Sequence, residues 1–524
     1  MLYPYIKFIE RNWKNEAMVV PCSEFLRLSM PTISKTKYID GLQCHKLLWY
    51  HYNNNEAFPQ PDQATLATLR QGQLVGEYAK KLFPDGIEVA KGIVDFNTTL
   101  SASREAAGFR RPLFEAAFQY RGAYARSDIL VPAPESTWDL IEVKSTTSVK
   151  KHHHHDIALQ KHVCDGAGIS IRRCFLMHLN NGYVRQGEIE ARKLFRKEDV
   201  TEQVSTLVNE IAPTLGTMAA VIRQPSAPAI MIGPHCNTPR GCPLIHVCWR
   251  FLPRNNVTEL YRGRKKPFEL ISKGILSLAD IPDDISLTDS QRIQVSAVRS
   301  GQPHSNREAI KNFLESLTYP LYFLDFETFS TAIPLIDNAR PHQQIPFQFS
   351  LHILDSLDAD PVHHSYLADG PMDARPEILN RLKDLLHSHG TILTFNASFE
   401  KRVLSEMSRD YPEYKEWFEL TKPRIADLII PFRSFAYYHP DQEGTASIKS
   451  VLPVLTGKSY SGLTIADGGT ASLEFLRVTF GEVDPSERER VRTDLETYCG
   501  LDTEGMIDIL RSLHSISRTH NTIF

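Results

Sequence analysis

The sequence predicts an α/β protein of two large domains joined by a mostly helical connector. Its 524 residues correspond to roughly three to four units of about 150 residues. Strand-like and helical segments alternate up to about residue 253, and a new α/β pattern begins with the short apolar run 321–325. The predicted order is an N-terminal extension at 1–30, a first domain at 31–253, a connector at 254–315 and a second domain at 316–524.

The composition excludes several classes of protein. Hydrophobic residues make up 42% and charged residues 23% of the chain, which is ordinary globular usage and excludes a disordered or fibrous protein. No apolar run approaches the roughly 18 residues that span a bilayer, and the first residues lack the pattern of a signal peptide. The eight cysteines are too few for a disulfide-stapled secreted domain. We therefore expect a cytoplasmic protein without a membrane partner.

A predicted β-hairpin in the first domain carries two acids. Residues 125–131 and 138–144 have the pattern of strands, with a proline-containing loop between them. Asp128 lies on the first strand, and Glu142 and Lys144 share one face of the second. Two carboxylates can hold a divalent cation, and a lysine beside them can polarise water or bind a phosphate. The alternative is an exposed hairpin with a chance Glu–Lys pair.

This arrangement resembles the PD-(D/E)XK nucleases, and within them the RecB-like branch. The resemblance implies a site for Mg²⁺ or Mn²⁺ with metal ligands Asp128 and Glu142, catalytic lysine Lys144 and helix glutamine Gln160. The RecB-like pattern also has a metal-binding His shortly after a Gly on an earlier helix, and here Glu77 follows that Gly. The four-histidine tract 152–155, which precedes Gln160, is either a metal-binding segment or, more simply, the solvated or substrate-facing start of a helix.

Four of the eight cysteines are spaced along the sequence in a way that is typical of metal ligands. Cys236, Cys242 and Cys248 follow one another with C-x5-C-x5-C spacing, and Cys44 lies near the start of the same domain. Three thiolates and a distant fourth can hold a zinc ion or an iron–sulfur cluster. RecB-like nucleases that carry a four-iron cluster, including the one that works in CRISPR adaptation, resemble this chain in having one early and three late cysteines. The resemblance implies a 4Fe-4S cluster.

Two alternatives to the cluster remain open at this point. One is a zinc ion with a nitrogen ligand from one of three histidines: His45, His235 or His246. The other is that the cysteines are buried free thiols that pack as small apolar residues. That interpretation suits the four cysteines outside the quartet better: Cys22, Cys164, Cys174 and Cys499.

The second domain places acids on three predicted elements. Asp325 and Glu327 lie on one face of an apolar strand, where burying two acids together is costly unless a cation neutralises them. Glu400 lies on a helix that follows another strand. Tyr498 and Asp502 fall on the apolar stripe of the terminal helix, where the alternative for the acid is an isolated, hydrogen-bonded core Asp.

Together these residues resemble the DEDD exonucleases of the RNase H-like fold, in the subtype whose last motif is Tyr-x-x-x-Asp. The resemblance implies two magnesium or manganese ions bound by acids of this set: Asp325, Glu327 and Asp502. Tyr498 would then orient the attacking water. Glu400 stands where the family has Asp in its third motif, and Asp427 matches an additional acid of related exonucleases. A degenerate, non-catalytic copy of the site is the alternative.

Both halves together resemble a bacterial fusion family called domain of unknown function 2779, which pairs a RecB-like part with a DEDD-like part. The resemblance covers nearly the whole chain after about residue 31, including the segments 34–37, 178–183 and 447–453. It implies a metal-dependent nuclease that acts on single-stranded DNA, or on RNA, with the DEDD half running 3′ to 5′. The alternative is a nucleic-acid-binding or scaffolding protein in which one or both sites are degenerate.

The charge of the chain limits where nucleic acid can bind. With 59 Lys and Arg against 62 Asp and Glu, the formal net charge is -3, so a basic surface must be local. The candidates are Arg104, Arg110, Arg111, Lys144, Lys150, Lys151 and the stretch 254–266. Solvated charged faces are the alternative for each of them.

Overall fold

The computed structural model describes residues 31–89, 92 and 95–518. The predicted N-terminal extension at 1–30 therefore lies outside the described residues. Within them, no helix combines the length and the apolar character that crossing a membrane requires.

The chain divides into two compact units. The first takes in the described residues of Trp13–Arg250 together with Thr331–Gln343, and the second those of Phe251–Ser330 and Gln344–Phe524. The stretch 254–315, predicted as a connector, belongs to the second unit, because apolar side chains along it, among them Val257, Leu278 and Ile310, are buried. The segment at 331–343 belongs to the first unit although both of its neighbours in sequence belong to the second.

In the described part of the first unit, seven strands form one sheet. Their bounds are Ile33–Ser34 (β1), Ile87–Glu88 (β2), Leu113–Tyr120 (β3), Ala123–Pro132 (β4), Trp138–Lys144 (β5), Ile171–Leu179 (β6) and Phe195–Asp199 (β7). They follow the order β2-β3-β4-β5-β6-β7, and β1 pairs with β4. Strand β4 is antiparallel to β3 and β5, whereas β5 is parallel to β6. The predicted hairpin thus lies in the middle of the sheet.

Helices pack against this sheet. Their bounds are Lys35–Gln43 (α1), His45–Asn53 (α2), Gln63–Lys80 (α3), Phe96–Gly108 (α4), Lys151–Gly166 (α5), Ala191–Leu194 (α6), Thr201–Ile222 (α7) and Ile245–Cys248 (α8). Helix α5 packs on β3, β4 and β6 and against α7. Its apolar residues Ile157 and Val163 share a core cluster with Ala125 of β4 and Leu140 of β5. This packing brings the polar side chains of α5 over the two acidic strands.

Strands β3 and β4 are irregular at Glu115 and Asp128. On the two sides of this point, the side chains of β4 that face the core no longer follow a single alternation. Ala125 and Leu130 of β4 lie in the same core cluster, although strict alternation would place them on opposite faces. Glu115 on β3 has a φ of +57°, which is uncommon for a residue other than glycine. The irregularity lets the Asp128 carboxylate bond the neighbouring strand, where its Oδ2 accepts a hydrogen bond from the Val143 backbone N–H at 2.8 Å.

In the described part of the second unit, five strands form a mixed sheet and two more form a small ribbon. Their bounds are His304–Ser305 (β8), Leu321–Phe329 (β9), Ile345–Leu354 (β10), Val362–Leu367 (β11), Thr391–Thr394 (β12), Ile425–Asp427 (β13) and Tyr437–Tyr438 (β14). The order is β11-β10-β9-β12-β13, with β14 paired to β8. The central strand β9 is antiparallel to β10 and parallel to β12, and it contains the predicted apolar run.

The helices of the second unit include the long terminal one. Their bounds are Lys266–Ser272 (α9), Asp289–Ser300 (α10), Arg307–Glu315 (α11), Arg375–Leu385 (α12), Ser398–Asp410 (α13), Lys415–Thr421 (α14), Ile430–Arg433 (α15), Ile448–Thr456 (α16), Gly468–Phe480 (α17) and Pro485–Arg518 (α18). Along α18 the buried residues Val491, Leu495, Tyr498 and Asp502 recur every three or four positions, as predicted. Helix α18 packs on β9 and β10, so this stripe meets the strand that carries Asp325.

A buried ion-pair group at the start of α12 generates a stability prediction. The Arg375 guanidinium is 0% exposed and donates to Asp373 Oδ2 at 2.7 Å and to Asp410 Oδ2 at 2.9 Å. Arg375→Met should lower the free energy of unfolding by about 3–5 kcal/mol, because it removes the buried cation from two carboxylates. Arg381→Met removes an exposed pair with Glu377 and a contact over the Tyr366 ring, and it should cost about 0–1 kcal/mol in the same urea titration. Equal losses in the two variants would contradict this.

Candidate functional site

The first acidic site brings together the residues that the sequence predicts for it: Asp128, Glu142, Lys144 and Gln160. Glu142 lies at its centre and is 0% exposed. Its Oε1 accepts a hydrogen bond from Lys144 Nζ at 2.6 Å, and its Oε2 accepts one from Gln160 Nε2 at 2.7 Å. Helix α5 and strand β5 therefore hold this carboxylate from two sides.

Two further residues belong to the first acidic site. Lys35, the first residue of α1, places its Nζ 3.0 Å from Glu142 Oε1 and 3.5 Å from Asp128 Oδ1. Asp156 on α5 accepts a hydrogen bond from Lys144 Nζ at 2.7 Å. Two ammonium groups thus lie among three carboxylates, and each lysine contacts two of the acids.

Burial and these charges set the protonation of the site. Burial, with the neighbouring Glu142 carboxylate, raises the pKa of Asp128 above its ordinary value. Burial acts in the same direction on Glu142, but the ammonium groups of Lys144 and Lys35 outweigh it and hold the pKa of Glu142 below its ordinary value. The carboxylates likewise raise the pKa of both lysines in spite of their burial. Glu142 is therefore the anion around which the two cations are held.

The donor set of the first acidic site fits a divalent cation. Asp128 and Glu142 come from adjacent strands, and their carboxylate oxygens are the ligands that Mg²⁺ and Mn²⁺ prefer. A strained backbone position lies beside them, because Glu115 with its positive φ is on the strand next to Asp128. Strain of this kind concentrates at functional sites.

Two segments predicted near the first acidic site have other contacts. Glu77, the residue in place of the family His, accepts a hydrogen bond from Lys80 Nζ at 2.9 Å, and among the described residues its carboxylate does not join Asp128 and Glu142 in a group of ligand atoms within 4.8 Å of one another. In the histidine tract, His153 Nδ1 accepts a hydrogen bond from the Lys150 backbone N–H at 3.2 Å. Burial, aided by nearby cations, lowers the pKa of His153 to about 3. This histidine therefore caps the start of α5 in its neutral form.

The second acidic site lies around a cavity of about 510 Å³ in the second unit. The cavity is lined by five predicted residues from three elements: Asp325 and Glu327 of β9, Glu400 of α13, and Tyr498 and Asp502 of α18. Asp427 is not among the described residues that line it. The Asp427 Oδ1 instead accepts hydrogen bonds from the backbone N–H groups of Asn396 and Ile429, at 2.9 and 3.1 Å.

A tyrosine and a lysine outside the predicted set complete the second acidic site. The Tyr460 hydroxyl donates a hydrogen bond to Asp502 Oδ1. The Nζ of Lys449, on α16, lies 5.5 Å from the ring centroids of both Tyr460 and Tyr498. Lys449 also lowers the pKa of Asp502, although burial has the larger effect and raises it overall.

Cys499 belongs to the second acidic site as well. Its Sγ lies 3.7 Å from Asp325 Oδ2, and single ligand atoms of Asp325, Glu327 and Cys499 all lie within 4.8 Å of one another. Burial and the nearby carboxylates raise the pKa of the Cys499 thiol well above its ordinary value. Cys499 is buried and free, as predicted, and in addition it contacts an acid of the site.

The acids of the second site have a lysine nearby but, among the described residues, no ion pair like those of the first site. Burial raises the pKa of each of the four: Asp325, Glu327, Glu400 and Asp502. For Glu400 the value reaches about 8, with Asp427 adding to the effect of burial. Among the described residues, none of the four forms an ion pair within 4.0 Å, and Oε2 of Glu400 is buried without a hydrogen-bond partner. These oxygen donors fit divalent cations, which would supply the positive charge.

The four predicted ligand cysteines line one cavity of the first unit: Cys44, Cys236, Cys242 and Cys248. Cys44 follows directly after α1, and Gln43 at the end of α1 donates hydrogen bonds to the backbone oxygens of His235 and Arg240, both at 2.9 Å. Helix α1 thus holds the loop that carries Cys236 and Cys242. Burial raises the pKa of the Cys242 thiol to about 11.

Two of the remaining cysteines and two of the basic candidates have ordinary structural contacts. Cys164 and Cys174 lie in the core of the first unit, and Cys22 lies outside the described residues. Arg110 donates to the backbone oxygens of the loop between β4 and β5. Arg254 forms exposed ion pairs within the second unit. Neither arginine is a free cation on an open face.

Four residues of the two sites are not predicted from the sequence: Lys35, Asp156, Lys449 and Tyr460. For some of them the sequence contains a signal that could have identified them. Lys35 and Lys449 lie inside the distinctive segments 34–37 and 447–453, which carried the family resemblance. Asp156 directly follows the histidine tract. Tyr460 lies in a Ser-rich loop, where no periodicity marks it.

Comparison with known proteins gives partial matches. A family model described as "Domain of unknown function (DUF2779)" matches residues 322–447, which include Asp325, Glu327 and Glu400. The chain is 27% identical over 230 residues to "Uncharacterized protein MG366" of Mycoplasma genitalium, covering 40% of this chain and 34% of that protein. It is 24% identical over 268 residues to "Uncharacterized protein UU173" of Ureaplasma parvum serovar 3, covering 47% and 38%. The chain thus spans about a third of the length of these curated relatives.

A match among solved structures is weaker. The structure described as "Crystal structure of SSO0001" has 13% sequence identity and a TM-score of 0.21, and the match covers 43% of this chain and 89% of that chain.

The raised pKa values of the second acidic site predict a pH effect on stability. The folded protein holds protons on these acids that the unfolded chain loses above its ordinary carboxyl pKa, so unfolding releases protons and stability falls as pH rises. For Glu400 the fall lies between pH 4.5 and about 8. We expect the EDTA-treated protein to melt at a lower temperature at pH 8 than at pH 5.

Glu400→Gln is the matched variant for this measurement. It has no proton to lose, so its melting temperature should fall less between the same two pH values. A fall equal to that of the unsubstituted protein would contradict the assignment of the raised pKa to Glu400.

Proposed function

We propose that this protein is a metal-dependent nuclease with two active sites, which hydrolyse phosphodiester bonds of nucleic acid. Single-stranded DNA is the favoured substrate, and RNA is the alternative substrate. The observation that carries the proposal is that each unit buries its own group of carboxylates beside a side chain suited to act on water. These side chains are Lys144 in the first acidic site and Tyr498 in the second. Two such sites in one chain match a RecB-like PD-(D/E)XK nuclease fused to a DEDD exonuclease.

In the first acidic site, Asp128 and Glu142 would hold one divalent ion. A bound ion of this kind polarises a phosphodiester and neutralises the charge that develops on it. Lys144 is held between two carboxylates, at 2.6 Å from Glu142 and 2.7 Å from Asp156, so its ammonium has a defined position. We assign it the role of orienting the attacking water and stabilising negative charge. Gln160 orients Glu142.

In the second acidic site, Asp325, Glu327 and Asp502 would hold two divalent ions, with Glu400 as the fourth acid. Burial and Asp502 raise the pKa of the Tyr498 hydroxyl well above its ordinary value, so it remains protonated and can donate a hydrogen bond to the attacking water. Tyr460 orients Asp502 through its hydrogen bond. By the DEDD resemblance this site would degrade strands from 3′ to 5′.

The sheets of the two units support the fold part of the proposal. The first unit has its two acids on adjacent central strands, with α5 and Gln160 above them, which agrees with a PD-(D/E)XK core. The second unit has a mixed sheet whose central strand carries Asp325 and Glu327, with the terminal helix across it, which agrees with an RNase H-like fold.

The four cysteines lie around one cavity, and their sulfurs are not drawn together as closely as a tetrahedral zinc site requires. A tetrahedral zinc site with Zn–S bonds of about 2.3 Å requires sulfurs about 3.8 Å apart. In the described residues, no three of the sulfurs of Cys44, Cys236, Cys242 and Cys248 lie within 4.8 Å of one another. A four-iron cluster bonds each sulfur to a different iron and therefore separates them more widely. We propose that this quartet holds a 4Fe-4S cluster.

A second candidate function is nucleic-acid binding or scaffolding with one or both sites degenerate. Glu77 favours it, because its carboxylate pairs with Lys80 and, among the described residues, does not form a group with Asp128 and Glu142 in which the ligand atoms lie within 4.8 Å of one another. Glu400 in place of the family Asp is the corresponding feature of the second site.

Substitution of one acid in each site tests the nuclease proposal. Glu142→Gln should lower the cleavage rate of the first site by at least about 100-fold, and Asp325→Asn should do the same at the second site, because each removes a metal ligand. The double variant should lack both activities when single-stranded DNA and RNA, labelled at either end, are incubated with Mg²⁺ or Mn²⁺.

The matched controls are acids of the same units that lie outside the two sites. Asp139→Asn, on the strand that carries Glu142, removes only a pair with Arg172, and Asp369→Asn removes only an exposed pair with Arg492. Both should retain full activity. An unsubstituted protein that binds nucleic acid without cleaving it would support the degenerate alternative. A double variant that cleaves as fast as the unsubstituted protein would contradict the assignment of the active sites.

Metal analysis after anaerobic purification tests the cluster. The protein should be brown, with iron and sulfide in a ratio near that of a 4Fe-4S cluster, and Cys242→Ser should lose most of the iron. Cys174→Ala, which changes a core thiol of the same unit, should retain it. A colourless protein with stoichiometric zinc would contradict the assignment.

A further inference from the structure

We propose that Lys35 is an internal cation that competes with the divalent ion for Asp128 and Glu142, so that it weakens metal binding in the free protein and must leave both carboxylates when the ion binds. The inference deepens the proposed function and rests on it only in placing a divalent ion at these two acids. Lys35 is a positioning residue in this account, because it acts through the metal ligands.

The backbone of Lys35 is fixed beside the acidic strands. Strand β1 directly precedes it and pairs in parallel with β4, with Ile33 opposite Ala123. Ile33 is 1% exposed, and its N–H donates to the Gly122 backbone oxygen at 2.8 Å. Helix α1 begins at Lys35 itself, so the side chain leaves the backbone at a defined point next to β4.

The ammonium group of Lys35 uses the oxygens that a divalent ion needs. Its Nζ lies 3.0 and 3.3 Å from the two oxygens of Glu142 and 3.5 Å from Asp128 Oδ1. An ion that coordinates both acids would bind the same oxygens, and two cations at that separation repel each other strongly in a buried site. Lysine and metal therefore cannot both keep these contacts.

The two lysines of the site differ in what else holds them. Lys144 bonds Asp156 as well as Glu142, so it keeps a carboxylate partner when Glu142 turns to an ion. Lys35 forms its described hydrogen bonds only with Glu142 and Asp128. The side chains of Lys35 and Lys144 are 26% and 24% exposed, so the two lysines differ in their partners and not in their exposure. Lys35 is thus the cation that can be exchanged.

Metal binding measured without any substrate tests this exchange. We would titrate Mn²⁺ into the full-length protein and follow free Mn²⁺ by electron paramagnetic resonance. The component that disappears in Asp128→Asn reports the first acidic site. For that component, Lys35→Met should bind Mn²⁺ at least about tenfold more tightly than the unsubstituted protein, because the competing charge is gone. Lys35→Gln provides the same change with a polar side chain.

Two further variants separate the charge from other effects of substitution. Lys35→Arg keeps the positive charge and should stay close to the unsubstituted affinity. Lys37→Met removes a lysine from the same helix whose Nζ lies 4.0 Å from the Tyr52 ring centroid, and it should change nothing. Circular dichroism confirms that each variant is folded.

The possible outcomes distinguish this inference from the proposed function. Unchanged or weaker Mn²⁺ binding in folded Lys35→Met and Lys35→Gln would overturn the role of Lys35 while leaving the metal site in place. The absence of any component that depends on Asp128, in all variants, would overturn the proposed nuclease site together with the inference.

Discussion

Burial of several carboxylates in one place is the constraint on which both halves of this protein depend. A carboxylate that leaves water needs either a positive charge or a proton, since the uncompensated anion is too costly to bury. In the first acidic site the positive charge comes from Lys35 and Lys144. In the second no described ion pair contacts the acids, and burial raises their pKa values, so that without a cation these acids take up protons more readily than exposed ones. Each solution leaves the oxygens available to a divalent ion that can displace the lysine or the protons.

Helix α1 links two sites that lie far apart in sequence. Lys35 at its first turn contacts the first acidic site, and the chain reaches Cys44 directly after its last residue. Between them, Asp40 bonds Arg240 and accepts a hydrogen bond from His51 Nε2 at 2.8 Å. Arg240 lies between Cys236 and Cys242. A displacement of that loop would therefore change a contact of α1. Helix α1 is therefore a direct physical link between the loop that carries the cysteines and the first acidic site.

Periodicity in the sequence predicts the parts of the sites that lie on single elements or on adjacent ones. Alternation along β5 places Glu142 and Lys144 on one face, and the helical stripe of α18 places Tyr498 with Asp502. Both pairs lie in their sites because they follow from strand and helix geometry alone. The resemblance to known nucleases added Gln160, which no periodicity links to β5.

The remaining features depend on tertiary structure that a sequence pattern does not contain. Lys35 lies 93 residues before Asp128, and only the pairing of β1 with β4 brings the two together. The irregularity at Glu115 arises from a positive φ that its residue type does not favour. The position of Cys499 on α18 predicts only a buried thiol. Its contact with Asp325 follows from the packing of β9 against the helix.

The central claim is that both groups of buried acids are divalent-ion sites. Anomalous diffraction from crystals soaked in Mn²⁺ and measured at the manganese edge tests it most directly. The account predicts one peak between Asp128 and Glu142, with Lys35 turned away, and two peaks among Asp325, Glu327 and Asp502. Well-ordered crystals that show manganese at other acids of the surface and none in either group would contradict it.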